Sequence, residues 1–168
     1  MRQRSTISPK ATIILNKIWK NPVYFIAFGA GSGLIPFAPG TCGTIVAIPL
    51  YLLLADTPIV VYCGMIALAF IIGIIVSHIV TRDLGIHDFS GIVCDEIVGY
   101  LITMIAVPKK ISWIVLGFIL FRLFDIWKPQ PIRYIDQHVH GGLGIMLDDV
   151  LAAIMASLTL QCLIWEFN

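Results

Sequence analysis

The groups able to do chemistry in this chain sit in two short stretches. Residues 83–96, DLGIHDFSGIVCDE, set Asp83, Asp88, Asp95, Glu96 and His87 just before an apolar run. Residues 117–149 add four carboxylates, three basic residues and two histidines between strongly apolar flanks. Hard divalent cations such as Mg²⁺ take oxygen ligands, usually a few carboxylates, and complete their shell with water and substrate phosphate. Asp88, Asp95, Glu96 and Asp149 are therefore candidate Mg²⁺ ligands. A competing reading is electrostatic: Asp95 and Glu96 stand in the first turn of a predicted helix, where each would favour the dipole by about 0.3–1 kcal/mol. Asp148 and Asp149 repeat that arrangement at what reads as the next helix start. Two acidic pairs make capping alone less convincing.

Arg122 and Asp125 lie three apart on one helix face, with Lys128 a further turn along, before Pro129 and Pro131 stop the helix. In water this is an ordinary ion pair. Beside apolar residues, the same trio places Arg122 or Lys128 on a phosphate and leaves Asp125 for the metal. Asp95, Arg122, Asp125, Lys128 and Asp148 form the catalytic set. Lys128, a flexible point charge at a helix end, is assigned to the phosphate directly. His87, Arg133 and His140 are assigned to the substrate, although His138 and His140 border a glycine turn and also suit an interfacial role.

A glycine-rich segment, residues 29–43, GAGSGLIPFAPGTCG, offers a second kind of phosphate contact. Glycines reach positive φ at low cost and let backbone N–H groups converge on an anion. Gly31, Ser32, Gly33 and Gly40 are candidates, with Thr41 or Thr44 capping a helix that begins near Ile45. A dinucleotide fold is excluded, because Pro36 and Pro39 interrupt the expected helix and no βαβ pattern surrounds it. The remaining alternative is a re-entrant turn packed for its own sake.

The elements that must position these groups are apolar. Of 168 residues, 58% are hydrophobic and 12% charged, and mean hydropathy is +0.93. That balance predicts an integral-membrane protein, in which ionisable groups near hydrocarbon are functional candidates. Asp56 and Glu166 apart, all eight remaining carboxylates lie between Asp83 and Asp149. Apolar stretches at 44–55, 58–81, 96–107, 112–125 and 148–165 predict an all-α bundle of about five short helices, preceded by a Gly/Pro-rich re-entrant or interfacial segment. Only 58–81 has the roughly 20 residues that cross a bilayer. Residues 1–20 carry the basic residues of an N-terminal segment and no acid, which predicts a cytoplasmic start. No cleavage pattern ends the apolar residues 23–28, so this segment is expected to be retained, followed by a single domain over 21–168. Alternate threading from that start puts the connections 22–43, 82–95 and 126–147 on the cytoplasmic face. Asp56–Pro58 and Pro108–Ser112 face outward, where Lys109 and Lys110 run against the charge bias.

The net charge of +1 and the lack of a basic stripe beyond the N-terminus argue against a nucleic-acid partner. Cys42, Cys63, Cys94 and Cys162 have no metal-like spacing and read as reduced. No CxxxxxR loop, DxD, SGH or Arg-x5-His-x3-Asp set is present, so thiolate, haloacid-dehalogenase-like and metal-free lipid-phosphatase chemistries lack their residues. Two rivals remain: His78-x4-Asp83 matches the pair of glycerolipid acyltransferases, and intramembrane carboxylates also suit an ion carrier.

Four segments, GSGLIPFAPGTCGT, HDFSGIVCDEIVG, FRLFDIWKPQPIR and HGGLGIMLDDV, resemble in order the signatures of the phosphatidylglycerophosphatase A family. The similarity runs from about Asn21 to Ala153. It implies a multi-pass, Mg²⁺-dependent phosphatase of the bacterial inner membrane, its active site facing the cytoplasm, that converts phosphatidylglycerophosphate to phosphatidylglycerol and phosphate. Asp95, Glu96, Asp125, Lys128, Asp148 and Asp149 match the family's polar pattern. The nucleophile, water or an aspartate, and the oligomeric state stay open at this level.

Overall fold

A computed structural model describes residues 17–86 and 89–167. Asn21 opens α1 (Pro22–Ala27) by accepting a hydrogen bond from Val23 N at 2.9 Å, with proline at the first helical position. A 3-10 turn (Gly29–Leu34) follows, then α2 (Pro39–Leu54), α3 (Ile59–Leu84), α4 (Cys94–Thr103), α5 (Ile111–Trp127), the short α6 (Ile132–His138) and α7 (Gly141–Phe167). There is no strand among the described residues. The all-α expectation holds, with two long helices instead of uniformly short ones. At 1.5 Å per residue, the 26 residues of α3 and 27 of α7 rise about 40 Å each.

Two predicted boundaries are corrected. The helix expected near Ile45 starts at Pro39, behind Ala38 in the left-handed region (φ 51) and without a side-chain cap. Proline suits the first helical position because its missing N–H would be unpaired there anyway. Thr44 is consequently interior to the helix, its hydroxyl donating to Gly40 O at 2.9 Å. The helix expected from residue 148 starts at Gly141, whose φ of +76 makes the preceding turn. Asp148 and Asp149 thus lie two turns inside α7, beyond the reach of a first-turn dipole effect.

The same shift makes α7 a second helix, beside α3, long and apolar enough to cross a membrane. It is the centre of the bundle, packing on α3, α4, α5 and α6. Its fully buried Ala152, Ala153 and Ala156 allow close approach. The outward face of α3 remains apolar, with Val60, Met65, Leu68, Ile71 and Ile75 all exposed.

Two opposite ends result. Lys109 Nζ donates to Asp56 Oδ2 at 2.7 Å and Tyr51 to Val107 O at 3.0 Å, which joins the connections 55–58 and 104–110. At the other end, Val93 N donates to Ala27 O at 2.9 Å, so the approach to α4 is pinned to α1.

The ten-residue α4 stops within the bundle, and a helix end leaves carbonyls without intrahelical partners. Tyr62, from another helix, donates to Leu101 O at 2.8 Å, and Gln161 donates at 2.9 Å to Ile105 O, two residues past the end of α4. The four cysteines are free, as expected.

Tyr62→Phe keeps the ring and leaves the buried Leu101 carbonyl without this donor, at a cost of about 1–3 kcal/mol. The expected result is a lower Tm of the purified protein in detergent; an unchanged Tm would show that the hydroxyl does not support α4.

Candidate functional site

At the end opposite Lys109 and Asp56, a cavity of about 330 Å³ opens between the start of α2, residues 89–92, the start of α4, the end of α5 and the first turns of α7. Asp95, Glu96, Arg122, Asp125, Lys128, Asp148 and Asp149 all line it. The local reasons are simple. Starting α4 at Cys94 puts Asp95 and Glu96 in its first turn, and starting α7 at Gly141 puts Asp148 and Asp149 level with them. Gly99 lets α4 approach both α5 and α7, since a Cβ there would meet the Phe121 ring of α5 at 2.7 Å and Asp149 O of α7 at 3.3 Å.

Oxygen atoms of Asp95, Glu96 and Asp149 lie within 4.8 Å of one another. Glu96 Oε2 and Asp149 Oδ2 are buried, with no hydrogen-bond partner among the described residues. A buried, unpaired carboxylate oxygen costs free energy unless a cation meets it. An all-carboxylate set with two orphaned oxygens fits a hard divalent cation.

Two cations face these acids. Arg122 Nη1 is 2.5 Å from Asp125 Oδ2 and 3.8 Å from Glu96 Oε1. The first is a charge contact without hydrogen-bond alignment, and Arg122 Nε has no partner among the described residues. Lys128 ends α5 in the left-handed region (φ 43), which turns its side chain back into the site. Its ammonium donates to Asp136 Oδ1 at 2.6 Å and Asp148 Oδ2 at 2.7 Å. Burial works against the charged form, but these two carboxylates outweigh it and hold Lys128 above the ordinary lysine range. Five carboxylates and two cations line the cavity, so it remains short of positive charge.

The start of α2 closes one wall. A Cβ on Gly40 would collide with Glu96 Oε1 and come within 2.9 Å of Arg122 Nη1, so only glycine leaves this space open. First-turn N–H groups and the helix dipole favour an anion beside that wall.

The eight predicted residues Gly40, Asp95, Glu96, Arg122, Asp125, Lys128, Asp148 and Asp149 are thus brought together. Gly31, Ser32, Gly33, Thr41, Thr44, Arg133 and His140 do not line the cavity. The glycine-rich turn packs inward instead: Ser32 donates to Gly29 O at 2.9 Å, and a Cβ on Gly33 would strike Gly91 O. Arg133 and His140 are exposed. His87 and Asp88 fall outside the described residues. Sequence reasoning missed Asp136, whose available signal was a carboxylate one short helix beyond Lys128, and missed Phe89 and Ser90 in the cavity wall.

The acyltransferase pair does not assemble. Five residues on a helix rotate through about 500°, leaving His78 and Asp83 roughly 140° apart. Asp83 Oδ2 accepts from Tyr24 at 3.5 Å and sits 4.0 Å from Lys17 Nζ.

Comparison with known proteins agrees with the site. The profile of the family Phosphatidylglycerophosphatase A matches residues 25–164. Phosphatidylglycerophosphatase A of Escherichia coli K12 is 43% identical over 138 residues, 82% of this chain and 80% of that protein. The Haemophilus influenzae protein of the same name is 46% identical over 138 residues, covering 81% and 85%. A Bacteroides thetaiotaomicron protein, provisionally named a phosphatidylinositol-3-phosphatase, is 37% identical over 148 residues, covering 83% and 92%. No solved structure matches the chain. With most of its length matched, from α1 to the last turn of α7, the chain belongs to the phosphatidylglycerophosphatase A family.

Proposed function

We propose that this chain is a phosphatidylglycerophosphatase, a phosphoric monoester hydrolase that releases the terminal phosphate of phosphatidylglycerophosphate to leave phosphatidylglycerol. The observation that carries the reading is the convergence of Asp95, Glu96, Arg122, Asp125, Lys128, Asp148 and Asp149 in one cavity at the end of an apolar bundle. Membership of the family supplies the substrate. The bundle is read as a multi-pass protein of the bacterial inner membrane, with the cavity at headgroup level on the cytoplasmic side. The apolar outer face of α3, and Trp19, Phe37 and Trp127 exposed beside the cavity end, support the headgroup-level depth, and the basic, acid-free residues 1–20 support the cytoplasmic side.

Asp95, Glu96 and Asp149 are the residues that would hold Mg²⁺. Bound there, the ion would draw negative charge from the phosphoryl oxygens and offset the repulsion between a dianionic phosphate and the acidic wall. Arg122, kept between Glu96 and Asp125, and Lys128, kept by Asp136 and Asp148, supply fixed donors to the remaining phosphate oxygens. Since both cations are already oriented by carboxylates, little reorganisation is needed as charge moves onto the leaving oxygen. The Gly40 wall keeps this volume free for the phosphoryl group.

Purified protein in detergent should release inorganic phosphate from phosphatidylglycerophosphate with Mg²⁺ and lose that activity in excess EDTA. Folded protein that releases none with Mg²⁺ present sinks the proposal, and full turnover after verified metal removal sinks its metal dependence.

The division of labour gives a second test. Asp95→Asn keeps shape and removes a ligand charge, so its lower kcat should recover partly at high Mg²⁺. Lys128→Met should cost on the order of 10²-fold or more in kcat at every Mg²⁺ concentration, as expected for loss of a charged donor at a developing anion. Near-wild-type rates in both folded variants would place the chemistry elsewhere.

Sidedness is tested by single cysteines at Ser90 or Gln137 in a variant lacking the native cysteines. Both should resist impermeant thiol reagents until the cells are lysed. Labelling in intact cells reverses the orientation.

A further inference from the structure

We infer that the cavity is loaded sideways from the bilayer across α5, with the acyl chains of the glycerophospholipid lying along that helix's outer face. The inference rests on the lipid-phosphatase reading above and adds a binding surface and a route of entry to it.

The outer face of α5 carries a continuous apolar stripe. Ile111, Val115, Ile119, Leu123 and Trp127 follow one another at four-residue spacing, a row that winds about 40° round the helix per step, and all are exposed, whereas Ile114 and Phe121 are buried. Shallow depressions run the length of this stripe, one over Ile111–Ile119 and the next over Phe118–Trp127. The second shares Arg122 and Ile126 with the acidic cavity, so the groove and the site have a common wall. The exposed row on α3 is just as apolar, yet none of its residues lines the cavity.

The dimensions suit a lipid in one leaflet. One leaflet of a 30 Å hydrocarbon core is about 15 Å deep, which is about ten residues of helix at 1.5 Å each, so the chains of a lipid in the leaflet nearer the cavity lie over the Phe118–Trp127 half of the stripe. With the phosphomonoester beside Arg122 and Lys128, the chains can stay at their normal depth. Trp127 then stands at headgroup level, where an indole is favoured. A surface in hydrocarbon gains little from binding another apolar chain, so α5 serves to admit and orient the substrate, and the sensitive point is the mouth at Ile126 and Leu123. A second copy of this chain is the competing occupant of the face, but the stripe's shared wall with the cavity favours the lipid.

The test compares dioleoyl phosphatidylglycerophosphate with its short-chain dihexanoyl analogue, which is presented from water. Leu123→Trp and Ile126→Trp should lower kcat/KM on the dioleoyl substrate about tenfold more than on the dihexanoyl one, equivalent to ~1.4 kcal/mol added to the barrier for entry through the mouth. Ile75→Trp, on exposed α3, should leave both values unchanged. Independently, a glycerophospholipid with a photoreactive acyl chain should label peptides from residues 111–127 of the wild-type protein and spare those from α3. Equal losses on both substrates, or labelling confined to α3, would overturn the inference while leaving the phosphatase reading intact. Failure of the wild type on both substrates would instead overturn that reading, and the labelling would still decide where the chains lie. Disulfide cross-linking of Leu123→Cys between copies would assign the face to a dimer and overturn the route.

Discussion

Like charges at close range in an apolar bundle are the constraint on which the rest of this structure depends. Asp95, Glu96, Asp125, Asp148 and Asp149 share one cavity wall, and only Arg122 and Lys128 among its lining residues carry positive charge. Carboxylates cannot be held together at low dielectric without compensation. The chain compensates in pairs: Arg122 lies between Glu96 and Asp125, and Lys128 between Asp136 and Asp148. The Asp95, Glu96 and Asp149 corner has only the 3.8 Å contact of Arg122 with Glu96 Oε1, and Glu96 Oε2 and Asp149 Oδ2 stay without a hydrogen-bond partner among the described residues.

The architecture follows from holding that corner still. The first turn of α4 stands level with Asp148 and Asp149, two turns inside α7, and at its other end Tyr62 meets Leu101 O while Gln161 holds Ile105 O just past the helix. Gly99 sets how closely α4 approaches α5 and α7, and Gly40 keeps the start of α2 from filling the space above Glu96 and Arg122. The glycine-rich turn contributes at one remove, by packing on residues 91–93 and so fixing the approach to Asp95.

What could be read from the residues was which polar side chains come together, more than where the helices begin. Asp95, Glu96, Asp125 and Asp149 were identifiable because carboxylates in a chain this apolar have few structural uses. Arg122 and Lys128 followed from their spacing with Asp125. The start of α7 was not legible, since three glycines at 141, 142 and 144 read as a turn, whereas in the bundle they allow close packing; a Cβ on Gly142 would strike Ile74 O. The start of α2 was obscured in the same way by Pro39 and Gly40. The glycine-rich segment invited a phosphate-loop reading because glycine reports that backbone must come close to something, without saying what; here the neighbours are Gly91 and Val93. Asp136 was missed because its partner Lys128 lies across a proline turn, where helical periodicity carries no information.

The most direct measurement is of cation binding in the absence of substrate. Mn²⁺, a paramagnetic stand-in for Mg²⁺, can be followed by electron paramagnetic resonance as it binds the purified protein in detergent. The account predicts saturable binding that Mg²⁺ displaces and that Glu96→Gln with Asp149→Asn abolishes, while the same protein with Asp56→Asn at the opposite end binds normally. Undiminished binding in the folded Glu96→Gln, Asp149→Asn protein would contradict it.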